Sequence, residues 1–308
     1  MDIYARAKGS GFVKVKKINP RSENWIDLVN PSEKELTEIG RRLRIPLFLL
    51  KREKRAHRPK YESFKDFVAF NFKTVQINEE VKTKHITFLF SKKYLVTIHS
   101  GVSQIRELKE KIEKRDFEVR HITDTDYLLY LTLEELVESF FPVLEKINVL
   151  AESLERGVFE RTDQKVLTKI FKLKRHVFEF HKILIAEREV LLSLHKGTSG
   201  IREKTVMYFR DLHDHLLQII DEEEIVREVL STALESYASV LSYKLNDVVK
   251  VLTVISTVLL PMTVITGIYG MNISFPEARV PGIYYVILGI LATIGLVSFF
   301  YFKRKKWV

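Results

Sequence analysis

Tyr243-Lys-Leu-Asn-Asp-Val-Val-Lys-Val-Leu-Thr-Val-Ile-Ser-Thr-Val-Leu-Leu-Pro-Met-Thr-Val-Ile-Thr-Gly-Ile-Tyr-Gly-Met-Asn-Ile-Ser-Phe275 sets the architecture of the chain. Lys250 is its last charge, and none follows until Glu277, so Val251 to Pro276 is an uncharged run of 26 residues. A bilayer core takes about 20 apolar residues as a helix, and this run is long enough to span one. A second uncharged run, Val280 to Phe302, follows a very short gap, and the chain ends on Lys303-Arg304-Lys305-Lys306-Trp307-Val308.

The rest of the 308 residues has a different character. The chain is 46% hydrophobic, yet the apolar residues are concentrated in the last fifth while the first four-fifths is highly charged. A net charge of +10 raises a nucleic-acid reading, because basic patches bind phosphate. Acids are interspersed with the bases and no nucleic-acid motif is present. Basic charge flanking apolar spans is explained by membrane topology and anionic lipid. The chain has no cysteine, which excludes disulfides and thiolate metal sites. Met1-Asp2-Ile3-Tyr4-Ala5-Arg6 opens no apolar leader, so the region before the spans is expected to stay on the side of synthesis.

Alternation predicts strands at Phe12–Lys16 and Trp25–Val29, and β-branched and aromatic residues predict others at Phe67–Ile77, Ile86–Phe90 and Tyr94–Ile98. Ser32-Glu33-Lys34-Glu35 is a capping box, predicting a helix from about Ser32 to Leu43, and Pro46 suits the first turn of a second. From Asp124, a plausible N-cap, the pattern is helical, with Leu128, Leu131, Leu136, Phe140 and Leu144 on one face and a kink expected at Pro142. Asp163 to His195 reads as a second long helix, ended by Gly197 and Gly200. With no Gly between Gly200 and Gly267 and no Pro between Pro142 and Pro261, Ile201 to Leu260 reads as one helix of roughly 90 Å. The expected division is a mixed α/β domain over 1–122, a long-helix stalk over 123–247 and a transmembrane domain over 248–308. Within the last, the spans fall near 248–270 and 281–302, the loop at 271–280 and the basic tail at 303–308. Lys244 and Lys250 before the first span and the basic tail after the second put both termini on the cytoplasmic side.

A first membrane helix ending in Tyr269-Gly270-Met271-Asn272, a short loop with Pro276-Glu277, a second helix and a basic tail resemble the CorA-type magnesium transporters. Tyr208-Phe209-Arg210-Asp211, Asp214-His215-Leu216 and Asn246 to Thr253 extend the likeness upstream, with weaker echoes at Arg58-Pro59-Lys60 and Tyr127 to Tyr130. The resemblance implies an α+β membrane protein: a cytosolic α/β domain, a helical stalk and two C-terminal spans, assembled as a funnel-shaped homopentamer in the cytoplasmic membrane. It also implies a channel-like uptake system for Mg²⁺, with Co²⁺ and Ni²⁺ as further ions, and no enzyme chemistry, organic cofactor or nucleic-acid partner. Two features depart from the family: Pro142, and an outer loop one residue short with no second acid near Asn272. Met271 argues against the zinc-transporting branch of the superfamily. A membrane-anchored coiled-coil scaffold, a reading of another class, leaves Tyr-Gly-Met-Asn and the uncharged stripe unexplained.

That stripe lies on one face of the first span. With Thr263 set at 0° and about 100° per residue, Gly267, Leu260, Ser256, Leu252 and Val249 fall between about −20° and 60°, flanked by Glu235 and Asn246 at about 80° and 100°. Two readings fit: small residues packing helix on helix, or a pore wall around an axis shared by several copies. Two spans per chain cannot enclose a path alone. Mg²⁺ dehydrates reluctantly and keeps its waters, and conduction needs binding weak enough for exit. At the entrance, the neutral amide of Asn272 suits hydrated Mg²⁺, Gly270 permits a tight backbone turn, and Glu277 either concentrates cations or is a solvated loop acid. In the cytosolic part, Glu134 and Glu138 share a helix face, and Asp211, Asp214 and His215 lie within about a turn. Charge runs are ordinarily solvated faces. The resemblance implies that acids at positions like Asp211, Glu134 and Glu138, with Glu79 and Glu80 near another, hold regulatory Mg²⁺ between neighbouring subunits.

Overall fold

The computed structural model describes residues 1–307 except 8–10, 52–60, 78–80, 117–121, 123, 161–163, 199 and 273–280. The chain forms two compact units, Met1–Gly157 with Asp163–Ala233, and Val158–Thr162 with Leu234–Val308.

The first unit is built on a seven-stranded sheet of order β2-β1-β3-β7-β6-β5-β4. Its strands are β1 (Asp2–Ala7), β2 (Gly11–Val15), β3 (Asn24–Val29), β4 (Glu62–Ser63), β5 (Val68–Ile77), β6 (Val81–Ser91) and β7 (Tyr94–His99). β3 and β7 pair in parallel, Asn24 to Val29 against Tyr94 to His99, and every other neighbouring pair is antiparallel. Alternation along the strands gives the sheet two apolar faces. One face, with Ile26, Leu28, Ala69, Leu89 and Val96, packs on α1 (Glu33–Leu43) and α2 (Leu47–Leu50). The other, with Trp25, Phe70, Phe72, Phe88 and Leu95, joins the larger core. That core takes residues from α3 (Ser103–Lys114), α4 (Thr125–Glu138), α5 (Phe141–Glu160), α6 (Gln164–His195) and the first half of α7 (Glu203–Tyr269).

The capping box forms as its spacing predicts. The Glu35 backbone N–H donates to Ser32 Oγ, and the Glu35 carboxylate accepts from the Ser32 N–H at 2.8 Å. At Pro142 the expected kink is a break instead: α4 ends at Glu138, and α5 begins at Phe141 with the proline in its first turn. There the missing N–H costs nothing, because first-turn N–H groups have no helical partner. Leu128 and Leu144 thus lie on two helices rather than one. α6 matches the second long helix, and Gly197 and Gly200, at φ 96° and 108°, end it. The third runs nine residues past Leu260, through Pro261 to Tyr269, as one helix of 67 residues. A proline inside an apolar span is tolerated where neighbouring groups take up the freed carbonyl.

The second unit holds the end of α7 and α8 (Ile283–Arg304), among the described residues the two helices long and apolar enough to cross a membrane. From Asp247 onward the half-buried positions of α7 are Asp247, Lys250, Val254, Val258, Pro261, Met262 and Ile265; on α8 they are Ile283, Ile287, Leu291, Ile294, Gly295 and Ser298, with Phe302 buried. Both sets recur at helical spacing. Met262 and Gly295 meet between them: a Cβ built on Gly295 would lie 3.3 Å from the Met262 methyl.

Candidate functional site

In the first unit, the sequence-predicted acids converge from two helices. Glu134 and Glu138 stand one turn apart on α4, and Asp211 and His215 one turn apart on α7. His215 lies between the pairs, with Nδ1 3.9 Å from Glu138 Oε1 and Nε2 3.9 Å from Asp211 Oδ2. Asp211 and Glu138 are open to solvent, their side chains 66% and 53% exposed. Glu134 is different. It accepts a hydrogen bond from the Tyr130 hydroxyl. Burial, joined by the charges of Glu135 and Glu138, pushes its carboxyl above the ordinary range, against the opposing pull of Tyr130 and His215. The same contact and burial push the Tyr130 hydroxyl up. Tyr127, Tyr130 and Tyr208 enclose this corner, ring centroids 5.1–5.6 Å apart.

Among the described residues of one chain, no three His, Asp or Glu side chains are arranged to hold a metal ion. One chain therefore offers outward-facing carboxylates without a closed ligand set. Glu79, Glu80 and Arg58-Pro59-Lys60 lie outside the described residues. His213 is turned away from this corner, its ring 6.4 Å from that of His195. Of the run Glu222-Glu223-Glu224, only the outer two keep a solvent face. Glu223 is fully buried, 2.7 Å from His181 Nδ1 and 3.0 Å from Arg227 Nε.

Of the other buried charges, Asp124 is marked in the sequence only as an N-cap, and Asp126 and Glu187 carry no signal beyond their residue type. Asp126 is 1% exposed and receives the Arg202 backbone N–H at 3.0 Å, Arg202 Nε at 3.0 Å and Thr205 Oγ1 at 2.8 Å, with a further contact from the guanidinium. Asp124 pairs with Arg6 at 3.2 Å, Lys204 at 3.4 Å and Arg202. As the residue before α4 it makes no side-chain capping bond. These pairs clasp the start of α7 to the start of α4 and to β1. Glu187, also buried, accepts the Lys73 backbone N–H at 2.9 Å, which covers a donor on the free side of β5. Desolvation raises its carboxyl well above the ordinary range.

In the second unit, the side of α7 that is half-buried centres about 180° from Thr263 at 100° per residue. Val249, Leu252, Ser256, Leu260, Thr263 and Gly267 are all exposed, as are Glu235 and Asn246. The stripe is thus not the surface that α7 turns to α8. Thr263 Oγ1 donates to the Leu259 carbonyl at 2.8 Å, which leaves the oxygen's lone pairs as its outward groups. The helix ends just past the stripe. The Gly270 N–H reaches the Thr266 carbonyl at 2.8 Å, and a Cβ on Gly270 would lie 2.9 Å from that oxygen. Met271 and Asn272 follow in a bend, both exposed. Glu277 lies outside the described residues.

Residues 22–304 match the family model described as CorA-like Mg²⁺ transporter protein. The cobalt/magnesium transport protein CorA of Thermotoga maritima is 35% identical over 257 residues, covering 82% of this chain and 73% of its own. The namesake protein of Methanocaldococcus jannaschii is 29% identical over 314 residues, covering 99% of both chains. The complete structure of the M. jannaschii CorA magnesium transporter superposes with a TM-score of 0.87 at 27% identity, over 100% of this chain and 99% of the other.

Proposed function

Because the chain belongs to the CorA-like Mg²⁺ transporter family, we propose that it forms a homopentameric channel for Mg²⁺ uptake across the cytoplasmic membrane, passing Co²⁺ and Ni²⁺ as further ions. The observation that carries this reading is the uncovered stripe on α7, uncharged from Val249 to Gly267 and opposite the face turned to α8. Copies arranged around an axis give that stripe a common lumen. Asn272, with Gly270 and Met271 at the helix end and Glu277 in the following loop, forms the entrance. There, neutral amides hydrogen-bond to the waters of hydrated Mg²⁺ without stripping them. Leu252 and Val249 form an apolar narrowing that can close by dewetting. The membrane potential drives entry by about 2.3 kcal/mol per charge per 100 mV.

Uptake down such a gradient needs a brake. In this reading, cytosolic Mg²⁺ bridges Asp211 and its neighbours Glu134, Glu138 and His215 to acids of the next subunit, Glu79 and Glu80 among them. Bridging removes like-charge repulsion between subunits, and the ion acts through its preference for the closed state.

Purified protein in liposomes loaded with a Mg²⁺ dye tests the entrance, and patch recordings test the brake. Asn272→Ala is expected to lower influx by at least about tenfold while the oligomer elutes unchanged, and near-normal influx would remove Asn272 from the entrance. In patch recordings, Asp211→Ala is expected to raise the cytosolic Mg²⁺ needed for inhibition. An unchanged inhibition curve would make Asp211 a solvated helix charge.

A further inference from the structure

Four consecutive cations stand at the end of α8: Lys303 and Arg304 in its last turn, and Lys305 and Lys306 in the cap that follows. Among the described residues none of them pairs with a carboxylate, whereas Lys250 on α7 is held by Asp247 at 2.9 Å. Cations are favoured at a helix C-terminus, but that effect fades within a turn and does not call for a fixed chain end. This end is fixed. The Lys306 N–H donates to the Lys303 carbonyl at 3.1 Å and the Trp307 N–H to the Phe302 carbonyl at 3.0 Å. Together these bonds make a Schellman cap. Lys306 holds the left-handed position at φ 57°, which glycine occupies most cheaply. A lysine there keeps a fourth charge at the cost of backbone strain. The hydrophobic contact that accompanies such a cap is also present: the Trp307 ring stacks on Phe302, centroids 5.7 Å apart at 24°. Phe302 is buried and Trp307 remains 38% exposed. The Lys303 ammonium lies over the Phe299 ring, Nζ 5.9 Å from its centre, a cation–π contact one turn back along α8 that leaves it without a carboxylate partner.

We propose that this capped end is a binding surface for anionic phospholipid. Trp307 sits at headgroup depth and the four unpaired cations hold lipid phosphates. Zwitterionic headgroups carry their own ammonium and cannot neutralise four cations, whereas each juxtamembrane Lys or Arg gains from an anionic leaflet. The inference rests on α8 being a bilayer span and is independent of which ion is conducted.

The test uses the full-length oligomer in nanodiscs of phosphatidylcholine with and without phosphatidylglycerol. The readouts are co-purifying phosphatidylglycerol and the melting temperature. Phosphatidylglycerol is expected to be enriched and to raise the melting temperature. K303Q/R304Q/K305Q/K306Q is expected to lower the enrichment roughly tenfold, and arginine at all four positions to retain it. Trp307→Ala is expected to weaken it less than loss of the charges. Unchanged enrichment in the glutamine variant overturns the proposal. So does equal stabilisation by soluble glycerol phosphate, which would mark a site for free anions. Protein that fails to enter nanodiscs of either composition would instead refute the reading of α8 as a span.

Discussion

The two halves of α7 are one helix under two sets of rules. Up to Ala233, the apolar positions Phe209, Leu212, Leu216, Ile219 and Leu230 are buried by the chain itself, and the one buried acid, Glu223, is held by His181 and Arg227. From Leu234 onward the helix is at its most apolar and its least covered: Val249, Leu252 and Leu260 are 57%, 62% and 67% exposed. In water an apolar face of that extent would drive association. The first half is explained by what the chain places against it. In the proposed reading, the second half is completed by a bilayer and further copies.

Substitutions of one type should sharpen that contrast. Leu216→Ala, at a position with no exposed surface, is expected to destabilise the first unit by about 2–5 kcal/mol, seen as an earlier denaturant midpoint of the intact protein in detergent. Little change would mean that the first half of α7 is also completed from outside. Next in size is a pH effect. Glu187 binds its proton more firmly in the folded chain than unfolded, because burial raises its pKa. Folded-state stability is therefore greatest below the ordinary carboxylate value and falls as pH rises through it. The loss is at most ~1.4 kcal/mol per pH unit, until the raised folded value is passed. Glu187→Gln is expected to flatten that part of the stability–pH curve, measured by denaturant unfolding across the range. A curve of unchanged slope would place the proton elsewhere. The smallest stability effect is expected from Leu252→Ala, within about 0.5 kcal/mol, while Mg²⁺ flux or its inhibition changes. A large stability loss there would show that Leu252 is core and not pore.

Much of this was legible in the residues. The capping box at Ser32, the strands rich in Val, Ile and Phe and the long glycine-free helix are local signals, and each formed where its pattern lies. β1 and α3 were missed. Ile3, Tyr4 and Ala5 in β1 are all buried, so the two-residue period that marks a half-exposed strand is absent. α3 begins at Ser103 after Val102, with no side-chain capping bond to announce it. Of the candidate site, the stripe was visible because a charge-free face at helical spacing is a one-dimensional pattern. The Asp126–Arg202 clasp joins residues 76 apart in the chain, and nothing at either end predicts its partner. The same holds for His99, whose Nδ1 accepts the Val102 N–H while Nε2 meets Asp27 at 3.0 Å.

The clasp has a consequence in the language of levers. α7 is held at its first turn by Asp126, buried and engaged by Arg202 and Thr205. Packing holds it as far as Ala233, and the part from Leu234 to Tyr269, at 1.5 Å per residue, makes an arm of roughly 54 Å. A tilt of about 2° displaces the end of that arm by about 2 Å, comparable to the radius of a water molecule. An arm of that length converts an adjustment too small to break any of its anchoring hydrogen bonds into a movement on the scale of a hydration shell.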